Sequence, residues 1–230
     1  MNKNIVITGG SSGIGLELSK IFINAGHTVF ILSRKSSNIG LKNSRCFRIN
    51  CDITDIDNIN ESRVKILEIL LNYSNTKIDL LINCAGVGYE KKITNINVED
   101  YNVIFNTNVK GLVFTTKEFI PFLNKDSLIC NISSIAGIKG FSGWSIYSAS
   151  KFAVEGFTES IRHELRHKKI KVISVRLGSV NTPFYKHLSD TEKGEFMNTE
   201  ETAKLISNIL FTDEKTVVEN IFINNAAGDL

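Results

Sequence analysis

Short β-branched, apolar runs alternate with amphipathic stretches along this chain from end to end, and that alternation leaves few folds open to it. Ile5 to Thr8, Thr28 to Leu32, Ser44 to Ile49, Ile78 to Asn83, Ser127 to Ile132, Ile170 to Leu177 and Val217 to Ile223 read as strands. Between them Ile14, Leu18, Ile21 and Ala25 recur at helical spacing. Asp55 to Tyr73 reads as a helix with Ile59, Ile66, Ile69 and Leu70 as its buried stripe. Val98 to Leu123 is helical with a break around Thr107-Asn108, and Ser148 to His167 and Thr199 to Leu210 are helices too. Strands and helices in this order imply a parallel sheet covered by helices on both faces. Leu80-Leu81-Ile82, apolar on successive residues, fits a strand buried on both sides.

No internal repeat, low-complexity tract or linker interrupts the pattern. The expected fold class is therefore α/β, a doubly wound parallel sheet of about seven strands, Rossmann-like, in one domain over residues 1–230. Hydrophobic residues at 42% and charged residues at 22% fit a globular chain with a sizeable core. A net charge of +3 is too small to imply a nucleic-acid or membrane partner. Ile5-Val6-Ile7 is too short for a signal core or a membrane span. Cys46, Cys51, Cys84 and Cys130 form no C-x-x-C pair and no zinc spacing, so free thiols in a reducing, cytoplasmic setting are expected, with no metal.

Doubly wound sheets bind ligands beyond the carboxyl ends of their strands, and unusual residues fall there. The first strand ends in Thr8-Gly9-Gly10-Ser11-Ser12-Gly13-Ile14-Gly15, directly before a helix. Glycines let backbone approach a pyrophosphate, and a helix N-terminus adds free N–H groups and partial positive charge. The spacing is G-x-x-x-G-x-G, and its context of strand, loop and helix gives it weight. Where an acidic residue would bind the ribose 2′-OH, the second strand ends in Ser33-Arg34-Lys35. Arg34 can pair with a 2′-phosphate, which favours NADP(H) over NAD(H). The alternative is that Arg34 and Lys35 are solvated loop charges. Asp52-Ile53 can meet the adenine, and Asn83-Cys84-Ala85-Gly86 brings small residues close to the cofactor.

Tyr147 and Lys151 stand four apart and share a helix face. A tyrosine is a poor base at neutral pH, and a neighbouring ammonium lowers its pKa, so a tuned Tyr147 can exchange a proton with an alcohol or a forming alkoxide. Ser134, at the end of the fifth strand, can hydrogen-bond a carbonyl oxygen as charge develops. Asn108 lies at the helix break, where freed backbone groups can hold a water near the lysine.

Thr8-Gly9-x-x-x-Gly13-Ile14-Gly15, Asp52-Ile53, Asn83-Cys84-Ala85-Gly86, Asn108, Ser134 and Tyr147-x-x-x-Lys151 follow one another in the order of the short-chain dehydrogenase/reductase family, which the chain resembles over nearly its whole length. The resemblance implies Tyr147 as acid/base and Ser134 as the residue steadying the substrate oxygen. It implies that Lys151 binds the nicotinamide ribose and tunes Tyr147, that Asn108 anchors a relay water, and that hydride passes between NADP(H) and a carbonyl or alcohol. Gly178, Val180 and Thr182 carry over as cofactor contacts. Two departures are visible: Cys84 replaces a second asparagine, and Leu177 stands where the family has proline before Gly178.

The run Arg162, His163, Arg166, His167, Lys168, Lys169 and Lys171 reads as a solvated helix end. Trp144, Phe141, Phe184, Tyr185, Phe196 and Met197 either line an apolar pocket or pack under a loop. His27 and His187 read as loop residues. Helices around Val109–Phe122 and Phe152–Leu165 carry surplus apolar positions, which the resemblance assigns to a homodimer or homotetramer and burial within one chain would also explain. The enzyme reading predicts a small-molecule carbonyl or alcohol substrate, with a 3-oxoacyl thioester or a pterin side-chain ketone as variants. Its rival is a catalytically silent NADP(H)-binding regulatory or scaffold protein.

Overall fold

The computed structural model describes residues 2–34, 41, 43–73, 76–186, 188–189, 191–213 and 215–228; Lys35 and His187 lie outside them. Seven strands are β1 (Asn4–Thr8), β2 (Thr28–Ser33), β3 (Cys46–Asn50), β4 (Ile78–Asn83), β5 (Leu123–Ser134), β6 (Lys171–Leu177) and β7 (Asn220–Ile223). They form one sheet in the order β3-β2-β1-β4-β5-β6-β7, with every neighbouring pair parallel. The order reverses between β1 and β4, which opens a crevice at their carboxyl ends.

Period-two alternation sends side chains of each central strand to opposite faces. Ile5 and Ile7 join one core with α1 (Gly13–Asn24) and α6 (Thr199–Leu210), through Ile14, Leu18, Phe22, Ala203 and Ile206. Val6 points the other way, into a core with α2 (Ile56–Leu71), α4 (Leu112–Phe119) and α5 (Ser145–Leu165), through Ile59, Ile66, Phe119 and Ile161. Successive apolar residues in one strand thus serve two cores.

Local chemistry sets the helix ends. Asp55 caps α2 by accepting from the N–H groups of Asp57 and Asn58. Asn97 and Asp100 form a capping box before α3 (Val98–Phe105). The expected break in the long helical stretch is a π-helical turn, Asn106–Gly111, between α3 and α4. Gly111 at its end leaves room for Ile53, since a Cβ there would lie 2.8 Å from Ile53 Cδ1. α5 begins at Ser145 rather than Ser148, which places Tyr147 in its first turn. β5 starts earlier than the apolar run suggests, and β7 is shorter. Among the described residues no helix is long and apolar enough to cross a membrane.

The basic run after α5 differs from its reading as a solvated helix end. Arg162 is only 9% exposed; its Nε donates to Val172 O (3.0 Å) and its Nη2 to Glu219 O (2.8 Å). Arg166 pairs with Glu219 at 3.2 Å, and Lys171 Nζ donates to Thr216 O at 2.8 Å. These long cations reach back to tie the chain before β7 onto β6, while His163, His167, Lys168 and Lys169 are exposed.

A buried polar chain crosses the second core. Asn83 Nδ2 donates to Thr116 Oγ1 (2.9 Å) and Asn131 Oδ1 (2.8 Å), and Asn131 Nδ2 donates to Thr158 Oγ1 (2.9 Å). It joins β4, α4, β5 and α5. Asn131→Leu, which strands the partners on both sides, should lower the unfolding free energy by about 2–4 kcal/mol in urea titrations; an unchanged midpoint would show that the chain contributes nothing to stability.

Candidate active site

The loop from β1 to α1 is held against the exit of β4. Thr8 Oγ1 accepts from the N–H groups of Cys84 (3.1 Å) and Ala85 (3.2 Å). Gly9 has φ +69°, and a Cβ there would sit 2.8 Å from Ala85 Cα. A Cβ on Gly15 would sit 2.6 Å from Gly9 O, so helix and loop touch backbone to backbone. Gly13 lies against Thr182 from the β6 exit. Ser12 takes the extended conformation of an N-cap, but its side chain caps nothing, and α1 has no acidic residue in its first turn. The first N–H groups of α1 are therefore left without a side-chain partner and carry the partial positive charge of a helix N-terminus, which suits an anion. Ser11 is half-buried, Ser12 exposed and Ile14 buried.

At the end of β2, Ser33 is buried and its hydroxyl has no hydrogen-bond partner among the described residues. Arg34 beside it is exposed. A buried, unpaired hydroxyl next to an exposed guanidinium is a fit for a ligand with several acceptor oxygens. Asp52 uses its carboxylate within its own loop, accepting from Thr54 N (3.0 Å) and Thr54 Oγ1 (2.9 Å). Ile53 turns its side chain under Gly111. Asn83 belongs to the buried polar chain, so the side chains of Ile53 and Asn83 support the site from below and do not line it.

Ser134, Tyr147, Lys151 and Asn108 come together where β4 and β5 end. The Ser134 hydroxyl stands close enough to the Tyr147 phenol to act on its acidity, and it accepts from Ala136 N at 3.1 Å. Lys151 Nζ lies 5.7 Å from the centre of the Tyr147 ring and donates to Ile132 O at 3.0 Å. Asn108 spends its side chain on structure: Oδ1 accepts from Val87 N (2.8 Å), and Nδ2 donates to Val87 O (2.8 Å) and Ser150 Oγ (3.0 Å). Its side chain is thus committed, and what the π-helical turn leaves available is backbone, whose carbonyls depart from the regular helical ladder.

The electrostatics correct one expectation. Burial pushes the Tyr147 phenol well up, with Tyr185 adding to the rise and only the Ser134 bond opposing it. Burial also draws Lys151 down to about 8, against the pull of Cys84 and Glu155. The expected lowering of Tyr147 by Lys151 does not appear: burial dominates, because removing the phenolate from water is costly, and only Ser134 opposes it. Cys84 is itself pushed up to about 11 by burial and stays a neutral thiol.

Three contributors escaped the sequence reading. Gly88 lies under the tyrosine: a Cβ there would be 2.4 Å from Tyr147 Cδ2 and 2.8 Å from Phe184 Cζ. The signal was present in Gly86-Val87-Gly88, and Gly86 itself lies against Asn108 and Lys151. Val87 is the residue that Asn108 grips. Ser150, inside the Tyr147–Lys151 spacing, donates to Tyr147 O at 2.7 Å and links it to Asn108. Of the flanking aromatics, Trp144 and Phe184 meet Tyr147 at ring distances of 5.5 and 5.6 Å. Tyr185 and Phe196 pack behind Phe184. Phe141 sits under Lys139, and Met197 packs against the first core.

At the β6 exit, Leu177 is buried in that core and extends the ladder to Ile223. Gly178 packs against Asn224 and Asn225 at the end of β7. Val180 is buried and bridges to Met197, which leaves half-buried Thr182 as the residue of this segment nearest the glycine loop.

The family model for short chain dehydrogenases matches residues 3–193. The chain is 36% identical over 183 residues to 3-ketodihydrosphingosine reductase of Bacteroides thetaiotaomicron, covering 78% of this chain and 65% of that enzyme. It therefore spans less than two thirds of that relative's length. It is 28% identical over 246 residues to sepiapterin reductase of Chlorobaculum tepidum, covering 100% and 99% of the two chains. The solved structure of ElxO with NADP bound matches with a TM-score of 0.82 and 27% identity, over 97% of this chain and 98% of that one. With its seven-stranded parallel sheet and this match over most of its length, the chain belongs to the short-chain dehydrogenase/reductase family of oxidoreductases.

Proposed function

We propose that the protein is an NADP(H)-dependent oxidoreductase that interconverts a carbonyl and an alcohol, with Tyr147 as general acid/base. The observation that carries this reading is the convergence of Ser134, Tyr147 and Lys151 at the strand ends, with the Lys151 ammonium 5.7 Å from the centre of the phenol ring and the Ser134 hydroxyl close enough to act on the phenol. The two relatives named above are both reductases, and ElxO holds NADP.

The residues fit the cofactor. The uncapped N–H groups of α1 and the close backbones of Gly9 and Gly15 would hold the pyrophosphate. The orphaned Ser33 hydroxyl and Arg34 would take a 2′-phosphate. Ala85 and Gly86 offer backbone beside the nucleotide, Lys151 a donor to its ribose, and Thr182 a hydroxyl near the pyrophosphate loop. When bound, the nicotinamide supplies a hydride in reduction and accepts one in oxidation.

The chain's own groups manage the oxygen and its proton. Ser134 hydrogen-bonds the substrate oxygen, and Tyr147 Oη delivers a proton to it. Burial keeps the phenol protonated at neutral pH, so the site as built is a proton donor, which suits reduction. The backbone at Asn108 would anchor a water that resupplies the proton through Lys151. Trp144 and Phe184 give the substrate an apolar wall beside Tyr147. Tyr101, Val103 and Phe152, exposed by 45%, 38% and 47%, offer α3 and α5 as the face of a homodimer or homotetramer.

A panel of ketones and aldehydes, followed by NADPH consumption, tests the reading. Tyr147→Phe should lower kcat by about 100-fold or more and leave NADPH affinity unchanged; a variant that keeps most of its rate removes Tyr147 from the chemistry. Arg34→Ala should weaken NADPH binding by about tenfold with NADH unaffected, and equal losses in fluorescence titrations would end the 2′-phosphate assignment. The reductive kcat should fall as pH rises through about 8, where Lys151 loses its proton. A rate that stays level well above that pH would mean the charge of Lys151 is not used.

A further inference from the structure

Tyr147, Lys151 and Glu155 follow at i, i+4 and i+8 on α5, so they stand one above another on a single helix face. Glu155 has no place in the proton path above, yet its carboxylate is turned inward. Oε1 accepts from Ser174 Oγ at 2.6 Å, and Oε2 accepts from Nε and Nη2 of Arg176 at 3.1 and 2.8 Å. Arg176 also donates to Asn220 Oδ1 on β7 at 3.1 Å. The 3₁₀ turn after β5 closes against the same place: a Cβ on Gly137 would be 3.0 Å from Glu155 Cγ and from Lys151 O. α5 is therefore drawn onto β5 and β6 one helical turn beyond Lys151.

We propose that Glu155 is a positioning residue for the Tyr147–Lys151 pair, an inference that rests on the roles given to those two above: clamped by Arg176 and Ser174, its carboxylate fixes α5 against β6 and holds a negative charge one turn from the Lys151 ammonium. Lys151 is 6% exposed, and its hydrogen bond is to a backbone carbonyl, Ile132 O. Among the described residues the titratable groups around it are the Cys84 thiol just beyond β4, Tyr147 and Glu155 on α5, and Arg176 from β6 behind Glu155. Cys84 and Tyr147 stay neutral, so the carboxylate is the formal charge on the Lys151 side of the clamp, with Arg176 beyond it. Burial acts to raise Glu155, but the Arg176 and Ser174 bonds more than offset it and keep the carboxylate ionised. An ion pair so placed does more than join two elements, because its nearer end favours the charged form of the lysine.

The test reads Lys151 directly. Protein labelled with [ε-13C]lysine is titrated by NMR, with the Lys151 signal assigned by its loss in Lys151→Arg. No turnover is needed, so an enzyme inactive on every substrate tried, which would count against the proposed function, still answers this question. Glu155→Gln should move the Lys151 midpoint down by about half a pH unit or more. Arg176→Met leaves the carboxylate without its counter-charge and should move the midpoint up by a similar amount. Loosened packing readmits water to Lys151 and would raise the midpoint in both variants, so opposite signs, or the fall in Glu155→Gln by itself, mark a charge beside Lys151; should Glu155→Gln not fold, a midpoint that does not rise in Arg176→Met still overturns the proposal. Where turnover is measurable, the alkaline limb of the kcat profile should shift with the midpoint. Midpoints that stay in place, or that move in the same direction in both variants, would overturn the proposal.

Discussion

The Asn108 side chain joins three elements that the site cannot do without. It sits in the π-helical turn between α3 and α4, grips both backbone groups of Val87 beyond β4, and donates to Ser150 in the first turns of α5. Cut off from water at 1% exposure, each of these bonds is costly to leave unmade. The turn, the β4 exit and the helix bearing Tyr147 are thereby held in one arrangement. Other parts of the site hang from that arrangement: Gly88 lies under the phenol, Gly86 beside the ammonium, and Phe184 against both Gly88 and Tyr147.

A second set of ties stands below. Thr8 Oγ1 holds the β4 exit to the end of β1, and the chain from Thr116 through Asn83 and Asn131 to Thr158 holds β4 to β5 and both to their helices. Polar side chains in an apolar interior are worth keeping only when their partners are in place. These ties therefore define register as well as strength, and they act at the strand ends that carry the candidate site.

Burial then sets the protonation of what has been assembled. The same exclusion of water raises Tyr147 and lowers Lys151, which leaves a protonated phenol beside an amine near its titration point. That state is the reverse of a lysine-activated phenolate. In the proposed reaction it makes the site a proton donor first, and the positioning role proposed for Glu155 turns on the charge of that same amine.

Much of this was legible in the sequence. Alternating β-branched runs and helical periodicity determined a parallel sheet covered on both faces, because each central strand must hide both its sides. Residue type and position were enough to single out the glycine loop, Ser134 and the Tyr147–Lys151 pair, which the fold brings to the strand ends. Even the helix break at Asn108 was visible. What the sequence left open depended on contacts between distant segments. Tyr147 lies in a first turn only because α5 starts at Ser145. Gly88 matters only because Phe184 and Tyr147 converge on it. Asn83 and Ile53 read as site residues, yet their side chains turn inward because the core needs them there. Arg162 read as a solvated cation and is buried because the chain before β7 returns to meet it. The direction of the Tyr147 shift was decided by tertiary structure alone, since desolvation depends on everything packed around a group and is written in no local motif.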